Sequence, residues 1–289
     1  MHNWSFAKYV GCGNDFILFD NRQNNFPVDS KLIVSLCDRQ YGIGADGVLL
    51  LELSKLADCK MRIFNSDGHE AEMCGNGLRC FIKWIHALGI RREVYTIEVM
   101  NHFLQGRMIN EQDVCIEMKN PSEIVWETSL SYKDQLFKVH TLNTGVPHAI
   151  IFVDNLDEIP VNEVGSYIRN HPLWQPKGTN VNFVKIEKDQ SLSVRTFERG
   201  VEGETLACGT GVTAAALAAA YLFDVKSPVK SKTRSGENLI VHFDYQHGHF
   251  SKISLTGAAQ HKFSGEVNLK EILQSSRFSI ASNSKHSLT

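Results

Sequence analysis

The sequence predicts an α+β protein of two pseudo-symmetric domains, each a curved mixed sheet wrapped around a central helix. Three observations predict it: two halves carry the same landmarks in the same order, each series ends in Cys-Gly-x-Gly opening a helical pattern, and short strand-like runs surround both. At 289 residues the chain is long for one core and comfortable for two.

The first half opens with Gly13-Asn14-Asp15-Phe16-Ile17-Leu18-Phe19, and Gly145-Val146-Pro147-His148-Ala149-Ile150-Ile151-Phe152 answers it in the second. Each is a glycine turn leading into an apolar strand. Next come Met61-Arg62-Ile63-Phe64-Asn65-Ser66-Asp67-Gly68 and Cys74-Gly75-Asn76-Gly77, matched by Val194-Arg195-Thr196-Phe197-Glu198-Arg199-Gly200 and Cys208-Gly209-Thr210-Gly211. Both passages read as strand, polar turn and helix start. Leu78, Phe81, Ile82 and Ile85 then recur at helical spacing until Gly89, a natural stop. The run from Val212 to Leu222 is apolar nearly all round, which suits a helix enclosed by sheet. Further strands are expected at 94–99, 114–118, 137–142, 181–186 and 239–243. The polar dipeptide Asn120-Pro121 marks the expected boundary, giving an N-terminal half 1–120, a C-terminal half 121–267 and a peripheral tail 268–289. That tail begins with a short helical pattern, and its serine-rich end has the composition of a disordered segment.

Hydrophobic residues make up 43% and charged residues 21%, and the formal charge is −2. Such a balance lacks the excess of Lys and Arg that a phosphate backbone requires, so no nucleic-acid partner is expected. No apolar stretch reaches bilayer length and the start lacks the order of a secretory signal, so no membrane partner and a cytoplasmic location are expected. Seven cysteines are an odd number and make a poor disulfide framework, which predicts reduced thiols. Neither C-x-x-C nor H-E-x-x-H occurs, and no metal or cofactor is expected.

The paired Cys-Gly-x-Gly segments carry the chemistry. A helix start leaves backbone N–H groups unsatisfied and places the positive end of the helix dipole there. Glycines keep the approach open, so a carboxylate can sit on the N–H groups of Gly75-Asn76 or Gly209-Thr210. A thiol at the same position feels a field that favours thiolate. One such segment alone reads better as a tight turn. Two copies related by a pseudo-twofold would set a thiol on each face of a carboxylate-bearing substrate, one as base and one as acid, with inversion at the α-carbon as the outcome.

Taken together, Gly13-Asn14-Asp15-Phe16, Phe64-Asn65-Ser66-Asp67-Gly68, Cys74-Gly75-Asn76-Gly77-Leu78-Arg79-Cys80, Pro147-His148, Thr179-Asn180, Glu198-Arg199-Gly200 and Ala207-Cys208-Gly209-Thr210-Gly211 resemble the diaminopimelate epimerase family, in order from about Phe6 to Val267. The resemblance implies conversion of LL- to meso-2,6-diaminopimelate without pyridoxal phosphate or metal, a place in lysine and peptidoglycan synthesis, and a homodimer. By position it implies Cys74 and Cys208 as catalytic thiols and Asn14, Asn65, Asn180, Glu198 and Arg199 as substrate holders. It further implies Gly75, Asn76, Gly209 and Thr210 as the carboxylate cradle, and His148 and Glu198 as groups that tune the thiols. Arg199 suits a bidentate grip on the distal carboxylate of a diacid.

Val146 and Gly47 stand where some members carry Asn and Gln. Asn65 to Cys74 is nine steps whereas Glu198 to Cys208 is ten, so the second loop holds an extra residue around Val201-Glu202. This predicts a looser pocket that admits smaller acidic amino acids. The competing readings are a proline-type or other racemase of the same architecture, a thiol redox protein using Cys74 and Cys208 as a reversible disulfide, and a non-catalytic binding scaffold.

Overall fold

The computed structural model describes residues 3–71 and 74–275. Its contacts divide the chain into two compact units, residues 1–114 with 258–289 and residues 115–257.

In the first unit, β1 (Trp4–Gly11) and β2 (Asn14–Asp20) form an antiparallel hairpin turned by Cys12 and Gly13, both at positive φ. Helix α1 (Ser30–Cys37) starts where the Asp29 carboxylate accepts from the N–H groups of Lys31 and Leu32. Strand β3 (Gly47–Glu52) then runs parallel to β2, and β4 (Cys59–Asn65) returns antiparallel to β3. After α2 (Gly75–Ala87), β5 (Tyr95–Val99) runs parallel to β4 and β6 (His102–Met108) antiparallel to β5. Residues Gly47 to Leu51 of β3 are all buried, as expected of a strand covered on both faces. Val48 and Leu50 join Phe19 and the α1 residues Leu32, Ile33 and Leu36 in one cluster, and their neighbours Leu49 and Leu51 point to the opposite face. On its own side α2 packs on β1, β2 and β6.

Strand β7 (Asp113–Glu117) leads into the second unit. There β8 (Ser122–Tyr132) pairs antiparallel with β9 (Gln135–Asn143), which pairs antiparallel with β10 (Pro147–Phe152). Helix α3 (Val161–Arg169) and a 3-10 turn (Pro172–Trp174) precede β11 (Asn180–Ile186), parallel to β10. Strand β12 (Leu192–Glu198) is antiparallel to β11, and the short β13 (Gly203–Thr205) folds back on β12. After α4 (Gly209–Phe223), β14 (Val229–Lys232) runs parallel to β12, followed by antiparallel β15 (Asn238–Gln246) and β16 (His249–Ala258). All ten residues from Gly211 to Ala220 of α4 are buried, so the alanine run is a central helix enclosed by strands.

The duplication is explicit in the pairing. The series β2–β3 parallel, β3–β4 antiparallel, β4–β5 parallel and β5–β6 antiparallel recurs as β10–β11, β11–β12, β12–β14 and β14–β15. Beyond the one central helix per half that the sequence predicts, the structure adds α1 and α3, each packed on the other face of its sheet. In α3, a Cβ at Gly165 would lie 2.5 Å from Phe197 Cβ, so the glycine sets how closely the helix approaches β12.

The units are not consecutive halves. Strand β17 (Gln260–Val267), expected in the C-terminal half, pairs antiparallel with β1 and belongs to the first unit. The chain enters the second unit at Cys115, ahead of Asn120-Pro121, because that dipeptide only links β7 to β8. Part of the expected peripheral tail is packed: α5 (Leu269–Ser275) lies against α1 with Leu269 in the core. Residues 276–289 of that tail lie outside the described residues. All seven cysteines are thiols. Among the described residues, no helix is long and apolar enough to cross a membrane and no cluster of three or more His, Cys, Asp or Glu is placed to hold a metal.

Candidate active site

In the first unit Cys74 is the N-cap of α2, with extended backbone (φ −146°, ψ 109°). Its sulfur accepts from the Gly77 N–H at 3.4 Å, in the role a Ser or Asp usually fills. The same sulfur lies 3.6 Å from Asn14 Oδ1. Asn14 is oriented by its other end, since its amide Nδ2 donates to Asp46 Oδ2 at 2.7 Å. Asp46 also accepts from the Asp15 N–H, and Arg39 forks between Asp15 and Asp46. Lys8, buried, pairs with Asp15 at 2.8 Å. Burial raises the Asp15 pKa, but the Arg39 and Lys8 cations outweigh it and hold the carboxyl well below the usual range. The hairpin tip is thus a charged clasp that aims one amide at the Cys74 thiol.

Gly75 and Asn76 occupy the first turn of α2, and Asn76 is buried with its side-chain oxygen taken by Arg79 at 2.8 Å. Asn65 ends β4, exposed, and its backbone opens the turn to Gly68 and His69.

In the second unit Cys208 is the N-cap of α4, also extended (φ −124°, ψ 107°), and only 7% exposed. Its sulfur lies 3.4 Å from the Thr210 hydroxyl. Gly209 and Thr210 form the first turn, and the Thr144 hydroxyl donates to Thr210 O at 2.9 Å. Asn180 is buried and its Oδ1 accepts from the Arg199 N–H at 2.8 Å, fixing the turn after β12. Arg199 Nη1 donates to Lys177 O. Burial raises the Glu198 pKa above the ordinary carboxylate value, with the Thr205 hydroxyl opposing it.

His148 is fully buried on β10, and its Nδ1 accepts from Asn182 Nδ2 at 3.1 Å, which leaves the proton of the neutral ring on Nε2. Burial, reinforced by Arg199, lowers its pKa to about 3. Among the described residues, its Nε2 has no hydrogen-bond partner, and neither has Trp174 Nε1. Both residues line a cavity of about 290 Å³ together with Asn143, Pro147, Lys177 and Thr179.

Asn182, which lies outside every motif of the sequence, ties this half together. It is fully buried, donates to His148 and to Ala149 O, and accepts from Thr196 Oγ1 at 2.9 Å. A Cβ at Gly211 would lie 2.2 Å from its Oδ1, so the α4 start is seated directly on this amide. The available signal was an asparagine inside the apolar run Val181-Asn182-Phe183-Val184. The clasp of Lys8, Arg39 and Asp46 had no signal beyond scattered charges.

The return loops are built alike. Arg62 of β4 forks onto Glu70 at 2.8 and 2.7 Å, and Arg195 of β12 forks onto Glu204 at 2.7 and 2.8 Å. Phe64 pairs with Glu70 as Phe197 pairs with Glu204. From each glutamate to its cysteine is four steps. The extra residue therefore sits in the turn between Glu198 and Gly203 and does not displace Cys208. Glu202 there adopts φ +56°, and its carboxylate accepts from Arg169 of α3 and from the Gly200 N–H.

The family model described as diaminopimelate epimerase matches residues 6–122 and 140–262. A diaminopimelate epimerase of Chlorobaculum tepidum is 42% identical over 266 residues, covering 90% of this chain and 99% of that protein. One of Methanothrix thermoacetophila is 44% identical over 249 residues, covering 82% and 88%. Among solved structures, a Bacillus anthracis phenazine biosynthesis protein of the PhzF family superposes with a TM-score of 0.70 at 17% identity, covering 93% of this chain and 100% of that one. A hydroxyproline epimerase of Agrobacterium vitis gives 0.67 at 15% identity, covering 92% of each. At those identities the two structures establish the shared fold alone.

Proposed function

The chain belongs to the diaminopimelate epimerase family, and we propose that it inverts one α-carbon of LL-2,6-diaminopimelate to give the meso isomer, with Cys74 and Cys208 as the two proton-transferring groups. It is an isomerase of a small diamino-dicarboxylate. One thiolate removes the Cα proton from one face and becomes a thiol. The other thiol delivers its proton to the opposite face and becomes a thiolate, so the pair ends with its protonation exchanged and the carbon inverted.

The observation that carries the reading is the repeated device: in each unit a cysteine caps a helix whose first turn is Gly-Asn or Gly-Thr. The N–H groups of Gly75, Asn76, Gly209 and Thr210 receive the reacting carboxylate as it gains charge, and they cost no reorganisation at that moment. Once Cys74 has taken up the proton, Asn14 Oδ1 accepts from the thiol and orients it. Asn65, Asn180, Glu198 and Arg199 hold the rest of the substrate, with the guanidinium matched to the distal carboxylate. His148, neutral in its buried setting, tunes a thiol as a hydrogen-bond donor through Nε2, and Glu198 does so as a carboxyl of raised pKa.

The reaction as proposed needs no pyridoxal phosphate, metal or other cofactor. Family membership supports a homodimer working in the cytoplasm. The turn lengthened at Glu202 supports a pocket that also admits smaller acidic amino acids. The test is substitution: Cys74→Ala and Cys208→Ala, each purified under reducing conditions, are both expected to lose epimerisation of LL-diaminopimelate. Full activity in either one overturns the pairing.

A further inference from the structure

Arg79 is among the largest fully buried side chains of the protein. It lies on α2 five residues after Cys74. Arginine is always charged at ordinary pH, and a buried cation is normally matched by a carboxylate, because taking it out of water costs several kcal/mol. Among the described residues, the hydrogen-bond partners of this guanidinium are Asn76 Oδ1 at 2.8 Å, Cys12 Sγ at 3.4 Å and Gly75 O at 3.5 Å, and its Nε has none. None of these partners is a carboxylate.

From the β1–β2 hairpin Cys12 reaches the guanidinium, while Lys8 and Asp15 of the hairpin and Arg39 and Asp46 of the segment before β3 form the clasp that holds Asn14. Those two cations and two carboxylates pair among themselves. On α2 itself, Cys80 is a buried thiol and Lys83 donates to Ala259 O. Among the described residues, no carboxylate is hydrogen-bonded to the guanidinium under the first turn of α2.

The repeat sharpens the point. Five residues after Cys208 stands Thr213, whose hydroxyl donates to Gly209 O at 2.9 Å, the counterpart of the Gly75 carbonyl that Arg79 reaches. Both helices thus have a side chain bracing the first glycine, but only the first unit uses a cation for it. The duplicated device is asymmetric in charge.

We propose that Arg79 is the positioning residue of the Cys74 half: it braces Gly75 and Asn76 so that their N–H groups face an incoming carboxylate, and its charge adds to the field of the helix start that favours the thiolate form of Cys74. It touches no reacting atom and acts through Asn76, Gly75 and the local field. The inference rests on the reading of Cys74 as a reacting thiol, yet it can be tested without turnover.

The test uses the full chain carrying Cys208→Ala, with iodoacetamide as probe and Cys74 modification followed by peptide mass spectrometry across pH 6 to 9. In that background, Arg79→Met is expected to slow Cys74 alkylation at neutral pH about tenfold, in proportion to the thiolate lost. Arg79→Lys keeps the charge and loses the fork, so alkylation stays near the parent rate. With Cys208 restored, the same Lys variant is expected to raise KM for diaminopimelate by more than it lowers kcat. Alkylation of Cys74 at the parent rate and pH profile in a folded Arg79→Met protein overturns the proposal. If Arg79→Met does not fold, Arg79→Gln takes its place: slowing of similar size upholds the role of charge, and the parent rate overturns it. Parent-like epimerase activity in Cys74→Ala would instead overturn the two-thiol reading, a separate outcome.

Discussion

Replacing Gly211 by alanine inverts the usual effect of that change in a helix. A glycine-to-alanine substitution inside a helix ordinarily stabilises by about 1 kcal/mol. Here the new methyl would lie 2.2 Å from Asn182 Oδ1 and 3.3 Å from His148 Cε1. Asn182 cannot swing away cheaply, because its oxygen accepts from Thr196 and its nitrogen donates to His148 and Ala149 O. Overpacking against a fixed group costs typically 1–3 kcal/mol, and with three hydrogen bonds to disturb the upper end applies. The net expectation is a loss of about 2 kcal/mol, or roughly 4–8 °C in Tm for a unit of this size. Because Gly211 lies in the first turn after Cys208, kcat should fall along with stability. Thermal denaturation followed by circular dichroism measures the first and an epimerisation assay the second. The double variant with Asn182→Ala removes the clashing atom, so in that background the added methyl should cost much less. A Gly211→Ala protein that melts at or above the parent would refute the reasoning.

Burial of neutral His148 makes stability depend on pH. Its pKa falls from an ordinary value near 6.5 to about 3, so between these limits only the unfolded chain takes up the proton. Stability is full above pH 6.5 and is lost as pH falls toward 3, by about 2 kcal/mol at pH 5. Glu198, raised by burial, works in the opposite sense as pH falls. Urea denaturation at pH 7.5 and pH 5, compared with His148→Gln, isolates the histidine: the variant should show a smaller pH difference, and an equal one would contradict the assignment. Deleting Glu202 should leave Cys208 in register, since Phe197 and Glu204 still pair, while it removes the Arg169 contact. The expected result is a substrate panel narrowed to diaminopimelate, and an unchanged panel counts against the looser pocket.

The duplication was legible because its carriers are local and unusual: a cysteine before Gly-x-Gly at each helix start, and an arginine one residue into each preceding motif. The alanine run of α4 announced an enclosed helix because no polar face interrupts it from Val212 to Ala220. The outer helices were not legible. Helix α3 has a helical period, with Val161, Val164 and Ile168 on its buried face, but it spans only nine residues after Pro160 with Gly165 at its middle, and α1 is only eight residues long, so both are too short to stand out in a strand-rich sequence. Their positions follow from tertiary contacts, such as Gly165 against Phe197. The return of β17 to β1 was invisible for a related reason, since strand pairing across the length of the chain leaves no local mark. Within the candidate site, residues inside contiguous motifs were readable, while Asn182, Asp46 and Arg39 matter through partners distant in sequence.

The two-base claim is tested most directly by turnover in D₂O. LL-diaminopimelate is incubated with the parent protein under reducing conditions and sampled while little has reacted. The account predicts that the meso product carries deuterium at the inverted carbon while the remaining LL substrate keeps its proton there, because one thiol removes hydrogen and the other, equilibrated with solvent, returns deuterium. A meso product that retains the original proton would contradict it, since a single group would then be serving both faces.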